Sequence, residues 1–190
     1  MTIIADFFRL RNCISLRRMP YTEAEVIFLT TQPDAPRPGW RSLTALLLIT
    51  LGGGGLVAFL IRDHMTFYDA LSKPVFAPPG WVFPVVWTLL YIAMATADWL
   101  GLRSGSPARL KALALYIAQL AVNLLWPVIF FLQQALGLTF VWLVLLWALA
   151  AILTAWLFQL SRPAGWLMIP YLAWITFAGV LNFCIARMNR

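Results

Sequence analysis

Five long runs of apolar residues, separated by short polar or proline-containing segments, dominate the pattern of this chain. Each run has about the twenty residues that an α-helix needs to cross a bilayer. The pattern therefore predicts an all-α membrane protein: a bundle of five transmembrane helices with a long first interhelical loop. The predicted spans are residues 43–61, 81–100, 112–132, 138–160 and 166–186.

The stretch YDALSKPVFAPPGWVFPVVWTLLY, residues 68–91, stands out in this pattern. Its first half contains three prolines, which predict a stiff, irregular connection across residues 62–80. Its second half carries Phe83, Trp87 and Tyr91 four residues apart, and this spacing places the three rings on one helix face. We therefore expect this stretch to form the lip and wall of a pocket.

Residues 1–41 differ from the rest of the chain, because they are mixed in character and contain six arginines. We expect them to form a basic, disordered extension before a five-helix domain at residues 42–190. The apolar stretch within residues 1–41 is too short for a secretory signal. Ten Lys and Arg residues on the N-terminal side of the spans, against four on the other, place the N-terminus in the cytoplasm if the membrane is an inner one. The choice between a bacterial inner and outer membrane stays open.

Composition supports an integral, multi-pass membrane protein. Hydrophobic residues make up 62% of the chain and charged residues 11%, whereas soluble domains are about a quarter charged. The net charge of +7 comes from residues in the tail and at the ends of apolar runs, where lipid explains them, so no nucleic-acid partner is expected. No carboxylate follows Asp98, which excludes a paired-carboxylate catalytic site in the second half. Asp98 itself is expected near the membrane surface, in contact with water or an arginine.

The residues that usually bind metals are sparse. Cys13 and Cys184 are the only cysteines, and His64 is the only histidine. Two distant thiols and one loop histidine form neither a disulfide framework nor a metal site. We therefore expect no metal and no obligatory cofactor.

A few polar and small residues interrupt the apolar runs. Gln119 and Asn123 share one face of the third span and must point into the bundle, because an amide facing lipid is costly. They either form interhelical hydrogen bonds or line a cavity, and the same alternatives apply to Asn182 on the last span. The four glycines at residues 52–55 favour close approach of a neighbouring helix over a functional hinge.

Nine of the ten tryptophans divide into three groups by their depth in the predicted spans. The deepest group indicates either plain core packing or a mid-membrane cavity for a large, flat, apolar ligand. The second group suits an interfacial belt or helix packing, and the third suits anchors at the span ends. In that order, the groups are Trp87, Trp126 and Trp174; Trp142, Trp147 and Trp156; and Trp40, Trp99 and Trp166.

Three motifs together resemble the translocator protein family, also called the tryptophan-rich sensory protein (TspO) family or peripheral benzodiazepine receptor. The first is the stretch at residues 68–91. The others are AQLAVNLLWPVIFF at residues 118–131 and PYLAWITFAGVLNF at residues 170–183. The resemblance covers about residues 43–190.

This resemblance implies a five-helix bundle, usually a homodimer, whose first loop caps a pocket near one membrane face. It implies tetrapyrrole ligands such as protoporphyrin IX and haem, sterols or other lipids in some lineages, and synthetic benzodiazepine-site ligands. The implied function is a tetrapyrrole receptor or sensor. A light-dependent porphyrin-degrading enzyme and a transporter of porphyrins or sterols are the alternatives. The sequence offers no acid/base pair for an enzyme and no charged residue in mid-span for ion-coupled transport.

The resemblance also assigns candidate site residues. Trp87 and Trp174 match the two tryptophans linked to light-dependent porphyrin breakdown in some members, and Ala178 matches a position that alters ligand binding. His64 and Lys73, with Arg62, are candidates to meet ligand carboxylates at the mouth of the pocket. The expected ligand-binding set is Phe83, Trp87, Tyr91, Asn123, Trp126, Trp174, Ala178, His64 and Lys73.

One part of the family pattern is incomplete. Leu181, Phe183 and Arg187 preserve only the outline of the sterol-recognition motif, because Phe183 stands where that motif has tyrosine. This departure weakens the expectation of sterol binding more than that of porphyrin binding.

Overall fold

The computed structural model describes residues 38–189, and all the regular structure within this range is helical. Five of the helices described are long and apolar enough to span a membrane, which confirms the predicted fold class. Of the predicted N-terminal extension, residues 1–37 lie outside the described residues. The helices are α1 (Trp40–Ile61), α2 (Met65–Ala70), α3 (Val82–Leu102), α4 (Arg109–Pro127), α5 (Leu136–Leu160) and α6 (Arg162–Met188).

The long helices extend a few residues beyond most of the predicted spans. α4 begins at Arg109 and α6 at Arg162, each before the apolar run from which the span was predicted. Charged residues can occupy a first turn that lies at the membrane surface. Pro163 is accepted in the first turn of α6 because the first helical N–H groups have no partner within the helix.

The first connection is partly helical, so the prediction of an irregular segment across residues 62–80 was wrong for its first half. A 3₁₀ turn, Arg62–His64, leads from α1 directly into α2, and extended backbone begins at Leu71. Pro74 is the first proline of the connection, and nothing before it prevents a helix. Tyr68, which the pattern placed in a loop, is therefore a buried helical residue.

The extended part of this connection is held at two points. The Tyr68 hydroxyl donates to the carbonyl oxygen of Pro78 at 3.1 Å. The Ser72 N–H donates to Oδ1 of Asn189, and Asn189 Nδ2 donates back to the Ser72 carbonyl oxygen, both at 2.9 Å. Asn189 directly follows α6, so the end of the last helix fastens the first connection.

The long helices share one core. α5 and α6 form the most extensive pair, while α1 packs mainly on α3, which also contacts α6. The outward faces carry exposed large apolar side chains, an arrangement that suits lipid rather than water. Fully buried core residues include Met94, Tyr116, Leu146 and Tyr171, and exposed apolar residues include Leu48, Leu89 and Val141.

The fourth helix ends in a wide turn that the sequence pattern did not predict. Val128–Leu132 form a π-helical turn directly after Pro127, and the Gln133 N–H donates to the Val128 carbonyl oxygen at 3.3 Å. Single π-turns within α-helices are frequent at functional sites. Here Phe130 and Phe131 are both buried in the turn.

The position of Asp98 corrects a prediction. We expected it in contact with water or an arginine, but its side chain is inside the bundle with the residue only 1% exposed. α3 continues about one turn further, to Leu102, and Ala97, Gly101 and Leu102 beside it are buried as well. Among residues 38–189, its Oδ2 atom has no hydrogen-bond partner and no arginine reaches it.

Candidate functional site

A cavity of about 340 Å³ lies at the end of the bundle that carries the first connection. Its volume is within the range of small-molecule sites, roughly 300–1,000 Å³. Four long helices and α2 contribute to it, while α5 packs behind. Its lining residues are Gly54, Val57, Ala58, Ile61, Arg62, Met65, Tyr68, Phe83, Pro84, Trp87, Tyr91, Trp126, Pro127, Phe130, Phe131, Ala178, Leu181, Asn182 and Ile185.

Aromatic rings form much of the cavity wall. Trp87 lies 5.5 Å from Tyr91 and 6.4 Å from Trp126, measured between ring centroids. Trp126 stacks on Phe130, with centroids 5.6 Å apart and planes 22° from parallel. Phe130 lies in the π-turn, four residues after Trp126.

The predicted aromatic face of α3 is present, and its three members Phe83, Trp87 and Tyr91 all line the cavity. Phe83 also contacts aromatic rings of other helices. Its ring contacts Tyr68 at 5.4 Å and Trp174 at 6.0 Å, both edge-to-face. Trp174 contacts the lining residue Phe83 but is not itself one of the lining residues of the cavity.

A buried polar cluster lies behind the aromatic wall. The Tyr91 hydroxyl donates to Asn123 Oδ1 at 3.0 Å, and Asn123 Nδ2 donates to the Tyr171 hydroxyl at 2.8 Å. Gln119 Nε2 also donates to the Tyr171 hydroxyl. Both amides of α4 thus face the bundle, as predicted, and they form the interhelical hydrogen bonds that were one of the two alternatives. Asn123 does not line the cavity itself but is hydrogen-bonded to Tyr91, which does. Contact of Asn123 with a ligand stays a prediction.

Two of the four glycines in α1 permit the close approach that we expected. A β-carbon on Gly54 would overlap the ring of Tyr91, and one on Gly53 would lie 2.7 Å from a methyl carbon of Leu124. Gly52 and Gly55 have no such neighbour within 4 Å. The glycine run therefore acts as a packing surface on one side of α1 only.

The three candidate cations at the mouth occupy different places. Arg62 lines the cavity, and its side chain is exposed and pairs with Asp63 at 3.4 Å. Lys73 Nζ instead donates to the carbonyl oxygens of Tyr68 and Asp69, at 2.7 and 2.8 Å, where it caps the end of α2. His64 is half-buried in the 3₁₀ turn and does not line the cavity.

The last helix contributes both apolar and polar side chains to the wall. Ala178, Leu181 and Asn182 line the cavity, and all three are buried. Phe183 and Arg187 point away from it, with the guanidinium 5.9 Å from the Phe183 ring centroid. Of the three residues in the outline of the sterol motif, only Leu181 therefore lies at this cavity.

The chemistry of the cavity suits binding. The described part of the chain contains no group of three or more His, Cys, Asp or Glu side chains that could hold a metal ion. The lining set contains no carboxylate and no histidine, and Arg62 is its one charged side chain. The walls therefore offer flat apolar contact and a few hydrogen-bonding atoms.

Sequence reasoning missed several lining residues. Tyr68 was placed in an irregular loop, and Phe130 and Phe131 were placed on an ordinary helix. The sequence did contain a signal for these two, because Pro127 follows Trp126 directly and a proline inside a helix often accompanies a distorted turn. No local signal identified Val57 or Ile185, which line the cavity through helix packing.

Comparison with known proteins decides the family. The model of the TspO/MBR family matches residues 45–188. The chain belongs to the TspO/MBR family. It is thus a multi-pass integral membrane protein, as the five long apolar helices also indicate.

Relatives of this TspO/MBR protein occur in animals and bacteria. It is 37% identical over 157 residues to the translocator protein of Ovis aries, covering 80% of this chain and 93% of that protein. It is 41% identical over 126 residues to protein CrtK of Rhodobacter capsulatus, covering 65% and 78%. With the tryptophan-rich sensory protein of Cereibacter sphaeroides it shares 42% identity over 125 residues, covering 65% and 77%.

Proposed function

We propose that this TspO/MBR protein is a membrane receptor that binds tetrapyrroles such as protoporphyrin IX or haem in the cavity between α1, α3, α4 and α6. The observation that carries this proposal is the aromatic wall of Trp87, Trp126 and Phe130 beside a single charged residue, Arg62. Flat rings favour a flat apolar guest, which stacks on them or meets them edge to face.

The position of Arg62 supports an amphipathic guest. Its side chain is exposed at the mouth, whereas the lining residues deeper in the cavity carry no charge. A macrocycle whose carboxylates lie near Arg62 would keep its charges at the mouth and its ring between the aromatic walls. Because His64 does not line the cavity, the proposal relies on the ring and the carboxylates rather than on coordination of haem iron.

The names of two relatives suggest two roles. The relative from Cereibacter sphaeroides is named a sensory protein, and that from Ovis aries a translocator protein. We favour the receptor role, since no charged residue lines the cavity beyond its mouth to couple ligand movement to ions. Porphyrin flux into sealed vesicles that contain the protein would favour the transporter instead.

The test is a titration of the purified protein in lipid nanodiscs with protoporphyrin IX, in darkness, followed by porphyrin absorption. We expect saturable binding by the wild type and an affinity about two- to tenfold lower for Trp87→Phe. Trp174→Phe should have a smaller effect, because that residue does not line the cavity. Trp166→Phe, which changes an exposed residue of α6 outside the cavity, is the matched control.

Two results would count against the proposal. Failure of the folded wild type to bind protoporphyrin IX or haem saturably would remove the receptor function. Equal affinities for Trp87→Phe and Trp166→Phe would remove the aromatic wall from the site. Repeating the incubation in light separates binding from degradation, since only an enzyme would yield a bilin-like product.

A further inference from the structure

Three residues that line the cavity are also exposed at the surface of the protein. Ala58 lies in the last turn of α1, Arg62 directly follows that helix, and Pro84 lies in the first turn of α3. The other lining residues, including all those from α2, α4, the π-turn and α6, are buried or half-buried. The cavity therefore opens to the outside between the end of α1 and the start of α3.

Tyr68 closes the side of the cavity next to the first connection. This lining residue is only 4% exposed, and its hydroxyl donates to the carbonyl oxygen of Pro78 at 3.1 Å. Its ring contacts Phe83 edge-to-face, and Lys73 Nζ lies 4.8 Å from its ring centroid. A ligand that arrived from water through the first connection would have to break these contacts.

The surface around the opening is apolar. Leu56 and Phe59 on α1, and Val85 and Leu89 on α3, are each more than half exposed. Both helices are long and apolar enough to span a membrane. Large apolar side chains that are exposed on such helices face lipid. The opening is thus surrounded by a surface that lipid covers.

The two ends of the opening lie at different depths. At its deep end, the ring of Tyr91 lies against Gly54 and brings the two helices together. At its other end, the guanidinium carbon of Arg62 lies 4.2 Å from the ring centroid of Phe59, an outward-facing residue. A cation at the end of a spanning helix extends to the level of the lipid headgroups. The opening therefore runs from the headgroup level into the hydrocarbon layer.

We infer that the cavity takes up its ligand sideways from the bilayer, through the opening between Ala58 and Pro84, and that its ligands are amphiphiles dissolved in the membrane. A flat ring can pass between the two helices edge first. Its carboxylates then stay near Arg62, at the level of the headgroups. This inference rests on the proposed function, because it assigns the route by which the proposed tetrapyrrole reaches the cavity.

The first experiment determines which phase the opening faces. Ala58→Cys and, as the control, Ser104→Cys in the exposed turn after α3 each carry a nitroxide spin label, in a protein with Cys13→Ser and Cys184→Ser. In nanodiscs, the label at residue 58 should collide more often with oxygen, which concentrates in lipid, than with a water-soluble nickel complex. The label at residue 104 should show the reverse. Preferential collision with nickel at residue 58 would overturn the inference.

The second experiment narrows the opening. Ala58→Leu and Ala58→Trp should slow both the association and the dissociation of protoporphyrin IX, measured by stopped-flow fluorescence in nanodiscs. For Ala58→Trp we expect about a tenfold decrease in both rates, which corresponds to a barrier about 1.4 kcal/mol higher. The dissociation constant should stay nearly unchanged, because both rates fall together. Leu56→Trp, at an exposed position of α1 outside the cavity, should keep the wild-type rates.

Asn189→Ala tests the competing route. It removes both hydrogen bonds that hold the first connection at Ser72, so entry through that connection would become faster in both directions. Entry from the bilayer predicts unchanged rates. Faster exchange in Asn189→Ala, or wild-type rates in Ala58→Trp, would overturn the lateral route. A loss of affinity in Ala58→Trp through faster dissociation alone would make Ala58 a wall residue and would also overturn it.

The two proposals fail in different ways. Saturable equilibrium binding of protoporphyrin IX by the wild type leaves the proposed function standing whichever route the variants support. Absence of that binding removes the proposed function, whereas the spin labels still decide whether the opening faces lipid or water.

Discussion

The ring of Tyr91 lies against the backbone of Gly54, in the space that a β-carbon on that residue would occupy. Both residues line the cavity, Gly54 from α1 and Tyr91 from α3. The contact therefore fixes how closely the two helices approach at the cavity wall. It also holds the Tyr91 hydroxyl against Asn123, at the front of the buried polar cluster.

Gly54→Ala should consequently disturb both stability and binding. The added methyl group must push aside a buried ring that is hydrogen-bonded behind it, and overpacking of this kind costs about 1–3 kcal/mol. We expect a lower melting temperature in detergent and weaker binding of protoporphyrin IX. Gly55→Ala is the matched control, because nothing lies within 4 Å of its added carbon. Equal behaviour of the two variants would show that this contact does not set the spacing.

Arg62→Gln tests the charge at the mouth. Removing an exposed cation that meets a ligand carboxylate should weaken protoporphyrin IX binding by about two- to fivefold. The dimethyl ester of protoporphyrin IX has no carboxylates, so its affinity should not change. Arg103→Gln, at the far end of α3, should leave both affinities at the wild-type value. An equal loss for the acid and the ester would mean that Arg62 acts through packing instead of charge.

Tyr171→Phe tests the buried polar cluster. This change leaves the Nδ2 group of Asn123 and the Nε2 group of Gln119 without their acceptor. Each stranded donor costs about 1–3 kcal/mol, so unfolding in mixed micelles should require clearly less denaturant. Tyr91→Phe strands only the Oδ1 atom of Asn123, and about half of that loss is expected. A Tyr91→Phe variant as unstable as Tyr171→Phe would contradict this account.

Asp98→Asn tests the buried carboxyl group of α3. Among residues 38–189 its Oδ2 atom has no partner, and an unpaired charge inside a bundle is unfavourable. The amide has the same shape without the charge, so we expect an unchanged or higher melting temperature. Asp69→Asn, at an exposed position in α2, should have no effect. A marked loss of stability for Asp98→Asn alone would reveal a favourable partner for the carboxylate.

The amides of α4 show what the sequence predicts well. Gln119 and Asn123 are one turn apart in an apolar helix, and an amide in a bilayer must be buried and satisfied. Their inward orientation follows from those two facts. Their common acceptor, the hydroxyl of Tyr171, belongs to a helix about fifty residues further along the chain, and no local pattern indicates that pairing.

The lysine of the first connection shows a different limit. Lys73 was a candidate to meet ligand carboxylates at the mouth of the pocket. Its ammonium group instead caps α2, a helix that became evident only in the structure. Asp98 is similar, since the predicted span already continued past it to residue 100, but no local pattern indicated that its side chain is buried inside the bundle.

The sequence by itself determined the five membrane-spanning helices, the inward amides, the aromatic face of α3 and the family, because length, hydropathy and spacing are local properties of the chain. The tertiary structure decided which of these residues meet at a cavity. That outcome depends on the contact between Gly54 and Tyr91 and on the π-turn after Pro127, whose Phe130 and Phe131 line the cavity. Each of them depends on how side chains of separate helices fit together, and that fit is fixed only when the helices pack.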